Sequence, residues 1–412
     1  MKIVGIIAEF NPFHNGHKRI FEKAYESGAE YIIVVMSGDY MQRGTPAIAD
    51  KFTRAKYALE CGADLVLELP VYYSLGSAEF FAQGAVTILN HLGCVDTLLF
   101  GSESGDVTTI TQVAQVLNDE PDDYISELKK AVKEGKSFPA ARQSALIKCL
   151  PKLEGDSIIV SPNNILGIEY VKGLLKSNSS IEPVTISRND NGYSSESLPE
   201  SGFYASATSI RSILMENNIQ NSQKLLKPFL PEKVLESLLN QSAVSGYTYG
   251  NLNAFSELLK YKLNLEKFNA FTDYLDIHED FSEKIVNHLG DFKSFEDFAL
   301  SLKSRDITYT RICRSLMHIL LNIKKENMQE YVDDGYTTYL RILGLKKQSS
   351  ALLKLIKENA DKELIQSPRK AFASISPLEK RLLQENMAAS SIYDLALCQS
   401  PKNEFTKEIV VV

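Results

Sequence analysis

The sequence predicts an α/β protein in which a doubly wound parallel sheet is followed by a mainly helical domain. Over the first two hundred residues, short apolar runs alternate with helical patterns. This alternation is typical of parallel sheets whose crossover connections are helices. Beyond about Lys224 the strand signals fade, and Leu and Ile recur three and four residues apart, which indicates helices. We therefore expect one domain over 1–223 and a second over 224–412.

The individual elements follow from the periodicity of each segment. Continuous apolar runs are typical of strands buried on both faces, and they predict strands over 3–7, 31–36, 64–69, 95–100 and 184–187. Segments of crossover length between them predict helices over about 16–26, 49–61, 77–92 and 162–176. A polar helical insertion is expected over about 120–160, and the apolar stretch 409–412 is a candidate for a short strand.

The composition is typical of a soluble protein. Of the 412 residues, 44% are hydrophobic and 24% are charged, and the formal net charge is −7. No apolar run approaches the ~20 residues needed to cross a bilayer, and no leader precedes the first strand. We therefore expect a cytoplasmic protein that does not associate with membranes. The five cysteines are scattered and odd in number, which favours reduced thiols over disulfides or a zinc site.

The most informative segment is the turn after the first strand, A-E-F-N-P-F-H-N-G-H-K over 8–18. His14 and His17 lie three residues apart, so both rings face one side of the helix that begins there. Gly16 between them lets a ligand approach the backbone. A helix start also presents backbone N–H groups and the positive end of the helix dipole. The segment therefore predicts a phosphate site in which His14 and His17 stabilise charge on a transferred phosphoryl group.

Other interpretations of the histidine pair are half of a metal site or two polar residues at a helix start. Zinc usually needs further ligands, but no Cys is near and Glu9 is the only close carboxylate, so we predict no metal site. Neither a glycine-lysine phosphate loop nor a G-x-G-x-x-G motif stands where it would be expected. ATP is therefore the predicted ligand.

Further candidate residues lie where other predicted strands and helices reach the same edge of the sheet, since ligands of such sheets bind there. Three of them suit a nucleotide pocket, although each also suits an ordinary turn, cap or surface role: Gly101, Asn163 and Arg188. The charged segment after the second strand is interpreted as a substrate-side loop, against the alternative of a plain solvated loop. Its candidates are Asp39, Gln42, Arg43 and Lys51.

Two basic segments stand out in the otherwise acidic chain, one over 301–325 and one over 341–357. Either segment alone is equally compatible with a solvated helix face. Together they favour a surface that contacts a phosphate backbone. The predicted contact residues are Arg311, Arg314, Lys346 and Lys347.

Two motifs carry a resemblance to a known superfamily. The H-x-G-H of His14 to His17 resembles the signature of the nucleotidylyltransferases, whose fold is Rossmann-like. The stretch A-S-A-T-S-I-R over 205–211 resembles their second signature, with Ser206, Thr208 and Arg211 retained and Ala205 and Ala207 departing from it. The resemblance implies that the histidines act at the α-phosphate. It also implies that Arg211, whose planar fork grips two oxygens, holds the outer phosphates.

A closer resemblance covers nearly the whole first half of the chain. The combination A-E-F-N-P-F-H-N-G-H, S-G-D-Y-M-Q-R-G-T-P-A, G-A-D-L-V-L-E-L-P and P-N-N-I-L-G-I-E-Y resembles the bacterial tRNA(Met) cytidine acetate ligase family. That family activates acetate with ATP to acetyl-adenylate and acetylates N4 of the wobble cytidine of elongator tRNA(Met). The resemblance implies the same reaction here, with ATP accompanied by Mg²⁺, with acetate and elongator tRNA(Met) as partners, and with a catalytic domain over 1–223 and a tRNA-binding domain over 224–412.

The resemblance also implies which residues contact the nucleotide. They include the Ile7 to Ile20 segment together with Gly101, Asn163 and Arg188. The predicted ATP-binding residues are Ile7, Ala8, Glu9, Phe10, Asn11, His14, Gly16, His17, Ile20, Gly101, Asn163, Arg188, Ser206, Thr208 and Arg211. Glu9 and Asp39 are both candidates for accepting the proton of the cytidine amine, and the sequence does not choose between them.

Two other functions remain open at this point. A nucleotidylyltransferase that adenylylates a small phosphorylated substrate would explain both signatures but not the long basic helical domain. A degenerate nucleotide-binding fold acting as an RNA-binding module would explain the basic segments without catalysis.

Overall fold

The computed structural model describes residues 1–155, 157–188, 204–243, 248–304, 307–398 and 404–412. Within these ranges the strands are β1 Ile3–Ala8, β2 Tyr31–Ser37, β3 Leu65–Leu69, β4 Thr97–Ser102, β5 Glu182–Ser187, β6 Leu340–Leu345, β7 Leu364–Ile365 and β8 Val410–Val411. The five strands predicted in the first half are confirmed to within two residues at each end. The short strand expected at the last residues is confirmed as β8.

The helices of the described residues are α1 Asn15–Glu26, α2 Lys51–Glu60, α3 Val71–Ser74, α4 Ala78–His91, α5 Val107–Asp119, α6 Asp122–Lys133, α7 Phe138–Cys149, α8 Pro162–Lys176, α9 Ala207–Glu216, α10 Ile219–Leu226, α11 Glu232–Ser242, α12 Ser256–Glu266, α13 Glu279–His288, α14 Phe295–Ser301, α15 Tyr309–Leu320, α16 Lys325–Asp333, α17 Ser350–Asn359, α18 Pro368–Ala371 and α19 Pro377–Ala396. The four predicted crossover helices are α1, α2, α4 and α8. The polar insertion contains α6 and α7.

The strands form one sheet in the order β5-β4-β1-β2-β3-β6-β7, and β8 pairs with β6. Strands β1 to β5 run parallel, as predicted. The chain passes from β1 to β2 and β3 on one side and places β4 on the other side of β1. This reversal creates a crevice beyond the carboxyl ends of β1 and β4, which is where ligands of such sheets bind.

Both faces of the sheet are covered, because side chains of a strand alternate between two hydrophobic cores. In β1, Ile3 and Ile7 belong to one core, with α3–α5, α8 and α12–α17. Val4 and Ile6 belong to the other core, with α1, α2 and α9–α11. This doubly wound arrangement confirms the predicted fold class.

Besides the expected β8, the second half of the chain contributes β6 and β7 to the sheet, and the sequence did not predict these two strands. Strand β6 pairs antiparallel with β3, so that Leu345 stands opposite Leu65. Its segment, L-R-I-L-G-L, is short and lies between helical patterns. The second half is mainly helical, as predicted, and the proposed boundary at residue 223 stays a prediction.

Candidate active site

A cleft lies beyond the carboxyl ends of β1 and β4. Its empty volume, counted out to the open mouth, is about 1230 Å³. It collects residues from both predicted signatures and from the loop after β2. The predicted residues that line it are Ile7, Ala8, Glu9, Phe10, Asn11, His14, His17, Ile20, Gln42, Arg43, Gly101, Asn163, Arg188, Ser206, Thr208 and Arg211.

The two histidines cap helix α1. His14 is the N-cap residue, and its Nδ1 accepts a hydrogen bond from the Gly16 backbone N–H at 3.1 Å. His17 Nδ1 accepts one from the His14 backbone N–H at 3.2 Å. The two rings stack with centroids 3.8 Å apart and an interplanar angle of 25°. The rings of Phe10 and His17 pack edge to face with centroids 4.9 Å apart, and this contact restricts the orientation of His17.

These hydrogen bonds determine where each ring carries its proton. Because Nδ1 of both rings accepts a backbone N–H, a neutral ring must hold its proton on Nε2 and act there as a donor. Burial, reinforced by the neighbouring His14 and then Arg188, holds the pKa of His17 well below its usual value. His17 is therefore a neutral hydrogen-bond donor at pH 7. Such a donor can stabilise negative charge on a phosphoryl oxygen without first being protonated.

Gly16 supports the cap and also lies beside the cleft. It lines an adjoining cavity with His17, Ile20 and Arg188, and an added Cβ would lie 2.9 Å from Cε1 of the His14 ring. The His14 ring thus packs against the Gly16 backbone, and a contact between Gly16 and a nucleotide stays a prediction. A glycine is needed here because the cap requires the His14 ring to fold back over the first turn.

A second helix begins at the same cleft. Ser206 is the N-cap of α9, and its hydroxyl accepts a hydrogen bond from the Ser209 N–H at 3.1 Å. Ser206 and Thr208 line the cleft, so the amino ends of α1 and α9 face one space. Arg211 donates to the Asn11 carbonyl oxygen at 2.7 Å, which joins the two signatures. Two helix dipoles and a guanidinium group favour an anion on this side of the cleft.

The opposite rim carries Asn163 and Arg188. Arg188 donates from Nη1 to the Asn163 side-chain oxygen at 3.3 Å. The carboxylate of Glu103, just after β4, accepts hydrogen bonds from the side chain of Asn163 at 2.8 Å and from its backbone N–H at 3.1 Å. Glu103 thereby fixes the amide that meets Arg188. Sequence reasoning did not identify Glu103 as a site residue, because a carboxylate at a strand end resembles an ordinary turn residue.

Gly101 is needed for a close approach, but the approaching group is a side chain. A Cβ at this position would lie 3.0 Å from Cγ and 3.2 Å from Cδ of Arg188. The alkyl chain of Arg188 thus covers the Gly101 backbone. The prediction that a nucleotide lies against this glycine stays a prediction, and Gly101 and Arg188 both line the cleft.

The loop after β2 closes the cleft beside Glu9. The backbone N–H of Gln42 donates to Glu9 Oε1 at 2.7 Å. The loop turns back on itself through a hydrogen bond from Met41 N–H to the Thr45 carbonyl at 2.8 Å. Gly44 (φ 81°) packs against α15, where an added Cβ would lie 2.7 Å from the Cys313 carbonyl carbon. Helix α15, in the second half of the chain, therefore supports the loop after β2, which we call the 41–45 turn.

An apolar wall completes the cleft and was not predicted. Phe100 stands between Gly167, where a Cβ would overlap its ring, and Tyr170, with ring centroids 5.7 Å apart and an interplanar angle of 67°. The cleft residues that sequence reasoning missed are Ile6, Phe21, Met41, Thr45, Phe81, Leu99, Phe100, Leu166, Tyr170 and Ala207. Nearly all are apolar, and in a sequence such residues are indistinguishable from core.

Two residues predicted for the substrate loop lie outside the cleft. Asp39 and Lys51 are 5% and 1% exposed. Lys51 Nζ lies 2.6 Å from carboxylate oxygens of both Glu68 and Glu404. Asp39 accepts hydrogen bonds from the Lys51 N–H at 2.8 Å and the Ser390 hydroxyl at 2.7 Å. The prediction is wrong for this pair, because both charges are compensated inside the protein.

Arg341 belongs to the same buried group, which we call the ionic cluster. Its Nη1 lies 2.9 Å from Glu68 and 2.7 Å from Glu404. The cluster consists of Asp39, Lys51, Glu68, Arg341 and Glu404. Arg341 was assigned to an exposed basic segment, but it lies in strand β6 and is 3% exposed.

The four residues predicted to bind a phosphate backbone do not form one surface. Arg311 and Arg314 lie on α15, which supports the 41–45 turn, and Arg314 pairs with Asp276 at 3.3 Å. Lys346 bonds the Gly62 carbonyl at 3.0 Å beside the start of β3. Lys346 and Lys347 thus lie at the amino end of the parallel strands. The two pairs are separated by the length of the sheet, roughly 15 Å at ~3.3 Å per residue.

Metal and membrane signals are weak in the described part of the chain. There, no group of three or more His, Cys, Asp or Glu side chains is arranged to hold a metal ion. Among the cleft residues described, Glu9 is the single carboxylate. No described helix combines the length and the apolar character required to span a bilayer.

Comparisons with known proteins place these features in a family context. The family described as HIGH Nucleotidyl Transferase matches residues 1–408. A protein of Acetivibrio thermocellus named tRNA(Met) cytidine acetate ligase is 37% identical over the full length of both chains. One of Clostridium perfringens with the same name is 37% identical over 95% of each chain.

Solved structures agree with the sequence comparisons. The apo form of Thermotoga maritima TmcAL has a TM-score of 0.90 and 30% identity and is covered over the full length of both chains. The same protein bound with alpha-thio ATP has a TM-score of 0.89 and 30% identity, over 100% of this chain and 99% of that one.

Proposed function

This chain belongs to the HIGH nucleotidyl transferase family, and from that premise we propose that it activates acetate with ATP and acetylates N4 of the wobble cytidine of elongator tRNA(Met). It is a ligase, since relatives that match it from end to end carry the name tRNA(Met) cytidine acetate ligase. The observation that carries the proposal is the convergence of two neutral imidazole donors, two helix amino ends and Arg211 on one cleft.

The first step is the formation of acetyl-adenylate. A carboxylate oxygen of acetate attacks the α-phosphorus of ATP, and the bond to diphosphate breaks. Negative charge grows on the phosphoryl oxygens, and His14 and His17 would meet it with their Nε2–H groups. Arg211 and the amino end of α9 would hold the outer phosphates. Removing one such donor typically lowers the rate by about 10²–10³.

Mg²⁺ would accompany the nucleotide in this proposal. The cleft supplies few hard oxygen ligands, since Glu9 is its single carboxylate within the described residues. An ion bound mainly by phosphate oxygens and water fits that donor set. The protein would then recognise the phosphates chiefly through nitrogen donors.

The second step transfers the acetyl group to the cytidine. The exocyclic amine of cytosine is a weak nucleophile, so the mixed anhydride with AMP provides the leaving group and the site provides orientation. A base in an anticodon loop is unstacked at modest cost and can enter a pocket. Arg311 and Arg314, next to the 41–45 turn, are the proposed contacts to the tRNA backbone.

Mass spectrometry of tRNA nucleosides after incubation with ATP and acetate tests the proposal. We expect N4-acetylcytidine in elongator tRNA(Met), with AMP and diphosphate released in equal amounts. Omitting acetate or ATP should abolish the product. AMP retained on a small phosphorylated acceptor, with unmodified tRNA, would instead identify an adenylylating nucleotidylyltransferase.

A further inference from the structure

The transfer step needs a group that accepts a proton, and few side chains at the cleft can act as that base. When N4 of cytidine attacks the acetyl carbon, the new C–N bond leaves an acidic proton on nitrogen, and AMP departs with the electrons of the broken C–O bond. That proton must move to a base within reach of the cleft. Within the proposed function, on which this step rests, one residue must perform this task.

The histidines are poor candidates. The lone pair of Nδ1 in both His14 and His17 already accepts a backbone N–H, at 3.1 and 3.2 Å. The Nε2 atom of a neutral ring therefore carries a proton and cannot take another. Accepting one at Nδ1 would break the cap of helix α1. Both rings are consequently suited to donating hydrogen bonds and unsuited to general-base catalysis.

Asp39 is excluded by its surroundings. It is buried outside the cleft, and its two oxygens accept hydrogen bonds from Lys51 N–H and from the Ser390 hydroxyl. Protonating it would also remove one negative charge from the ionic cluster around Lys51. A substrate amine in the cleft does not reach this carboxylate.

Glu9 has the position that the step requires. It follows directly on β1 and lines the cleft between the histidines and the 41–45 turn. Its backbone carbonyl accepts a hydrogen bond from Arg54 Nη1 at 2.7 Å, which fixes the main chain. The Gln42 N–H holds Oε1 at 2.7 Å and orients the carboxylate. We propose that Glu9 is the general base that takes the proton from N4 of the cytidine.

The charges around Glu9 suit a base that works near neutral pH. Burial raises its pKa above the usual 4.5, and the Gln42 N–H, Arg211, Arg43 and Arg54 partly oppose that rise. The arginines come from the three elements that face it, namely α9, the 41–45 turn and α2. A base with a raised pKa holds the proton more firmly and remains ionised above that pKa. Activity should fall when the pH drops through the pKa of Glu9, because the protonated acid cannot accept a proton.

The test separates the two half-reactions in Glu9→Gln. Acetate-dependent exchange of diphosphate into ATP reports activation, and single-turnover reaction of chemically prepared acetyl-adenylate with tRNA reports transfer. We expect transfer to fall about 10²–10⁴-fold, the usual contribution of a general base, and exchange, which involves the predicted contact of Glu9 with ATP, to fall much less. The loss of transfer rate at low pH that we expect of the wild type should be absent in this variant. Glu9→Asp should recover part of the rate.

A thermal melt and the variant Glu26→Gln serve as controls for folding and for the loss of a charge. Glutamine can still accept the Gln42 N–H, so a thermal melt should show an unchanged fold. Glu26→Gln, which removes an exposed charge at the far end of α1, should leave both half-reactions unchanged. Equal losses of exchange and transfer in Glu9→Gln would place Glu9 on the nucleotide side and overturn the inference, as would undiminished transfer. Failure of the wild type to acetylate tRNA at all would contradict the proposed function itself.

Discussion

At the scale of single residues, the hydrogen bonds of the two histidines in the site allow each ring only one chemical role. A histidine near a phosphate can act as a base, as a cation or as a neutral donor. Here the cap of α1 binds Nδ1 of His14 and His17, and burial keeps the pKa of His17 low. Only the neutral donor remains, and a hydrogen bond from such a donor can stabilise the charge that develops on a phosphoryl oxygen.

The variant His17→Ala tests this role. We expect acetate-dependent diphosphate exchange to fall about 10²–10³-fold, since one transition-state donor is removed. Binding of tRNA should be unchanged, because α15 lies on the other side of the 41–45 turn. The neighbouring exposed residue gives the control Lys18→Ala, which should keep full exchange activity. Exchange that survives in His17→Ala would show that the imidazole does not act at the α-phosphate.

At the scale of elements, the sequence predicted the strands and helices whose residues follow a clear apolar pattern. Strands β1 to β5 and helices α1, α2, α4 and α8 follow from apolar runs and spacing, and the cleft follows from their order. Asp39 and Lys51 were misplaced because their partners Glu68, Arg341 and Glu404 come from distant parts of the chain. A charged residue in a sequence suggests a surface, and only the tertiary structure reveals that its charge is compensated.

Strand β6 and the apolar wall were missed for a related reason. A six-residue apolar segment between helices suits a strand or a helix equally well. It becomes a strand here because the edge of β3 offers unpaired backbone groups. Phe81, Phe100 and Tyr170 have the same apolar character whether they face a core or a ligand.

At this scale, the variant Gly44→Ala tests whether the packing of the 41–45 turn against α15 supports the site. The variant forces a Cβ into the α15 backbone at a residue with φ of 81°. We expect a loss of about 1–3 kcal/mol in the free energy of unfolding and reduced acetylation, because Gln42 and Glu9 shift with the turn. Urea unfolding and the nucleoside assay measure the two effects.

Gly28→Ala provides the matched control for that variant. Gly28 also has a positive φ, of 89°, but an added Cβ would meet nothing within 4 Å. It should show the cost of the backbone conformation alone and keep its acetylation activity. If both variants lose equal stability and neither loses activity, the contact between the turn and α15 is irrelevant to the site.

At the scale of the whole molecule, the predicted basic residues lie at opposite ends of the sheet. Arg311 lies beside the cleft at the carboxyl ends of the strands, and Lys347 lies at their amino ends. Arg311→Ala should weaken tRNA binding and reduce its dependence on salt by about one counterion. Lys347→Ala, at the amino end of the strands, is the matched control and should leave affinity unchanged. Filter binding from low to high salt measures both. Equal weakening by the two variants would mean that the tRNA wraps around the sheet.

The ionic cluster joins the halves of the chain and leads to a prediction about stability. Glu404 precedes β8 in the chain and bridges Lys51 of α2 and Arg341 of β6. These two cations lower the pKa of Glu404 from 4.5 to about 2 despite its burial. Glu404→Gln should reduce the free energy of unfolding at pH 7 by about 3–5 kcal/mol, because it leaves buried cations with one fewer partner.

The pH dependence of that loss distinguishes the ionic cluster from ordinary packing. Because the folded pKa is the lower one, the contribution of Glu404 is complete above pH 4.5 and is lost as the pH falls toward 2. The difference between wild type and Glu404→Gln in urea unfolding should therefore shrink over that interval. Glu408→Gln, an exposed change in the same segment, should stay within about 0.5 kcal/mol of wild type at every pH. A constant difference between wild type and Glu404→Gln across this range would mean that shape, and not charge, holds the second half of the chain on the sheet.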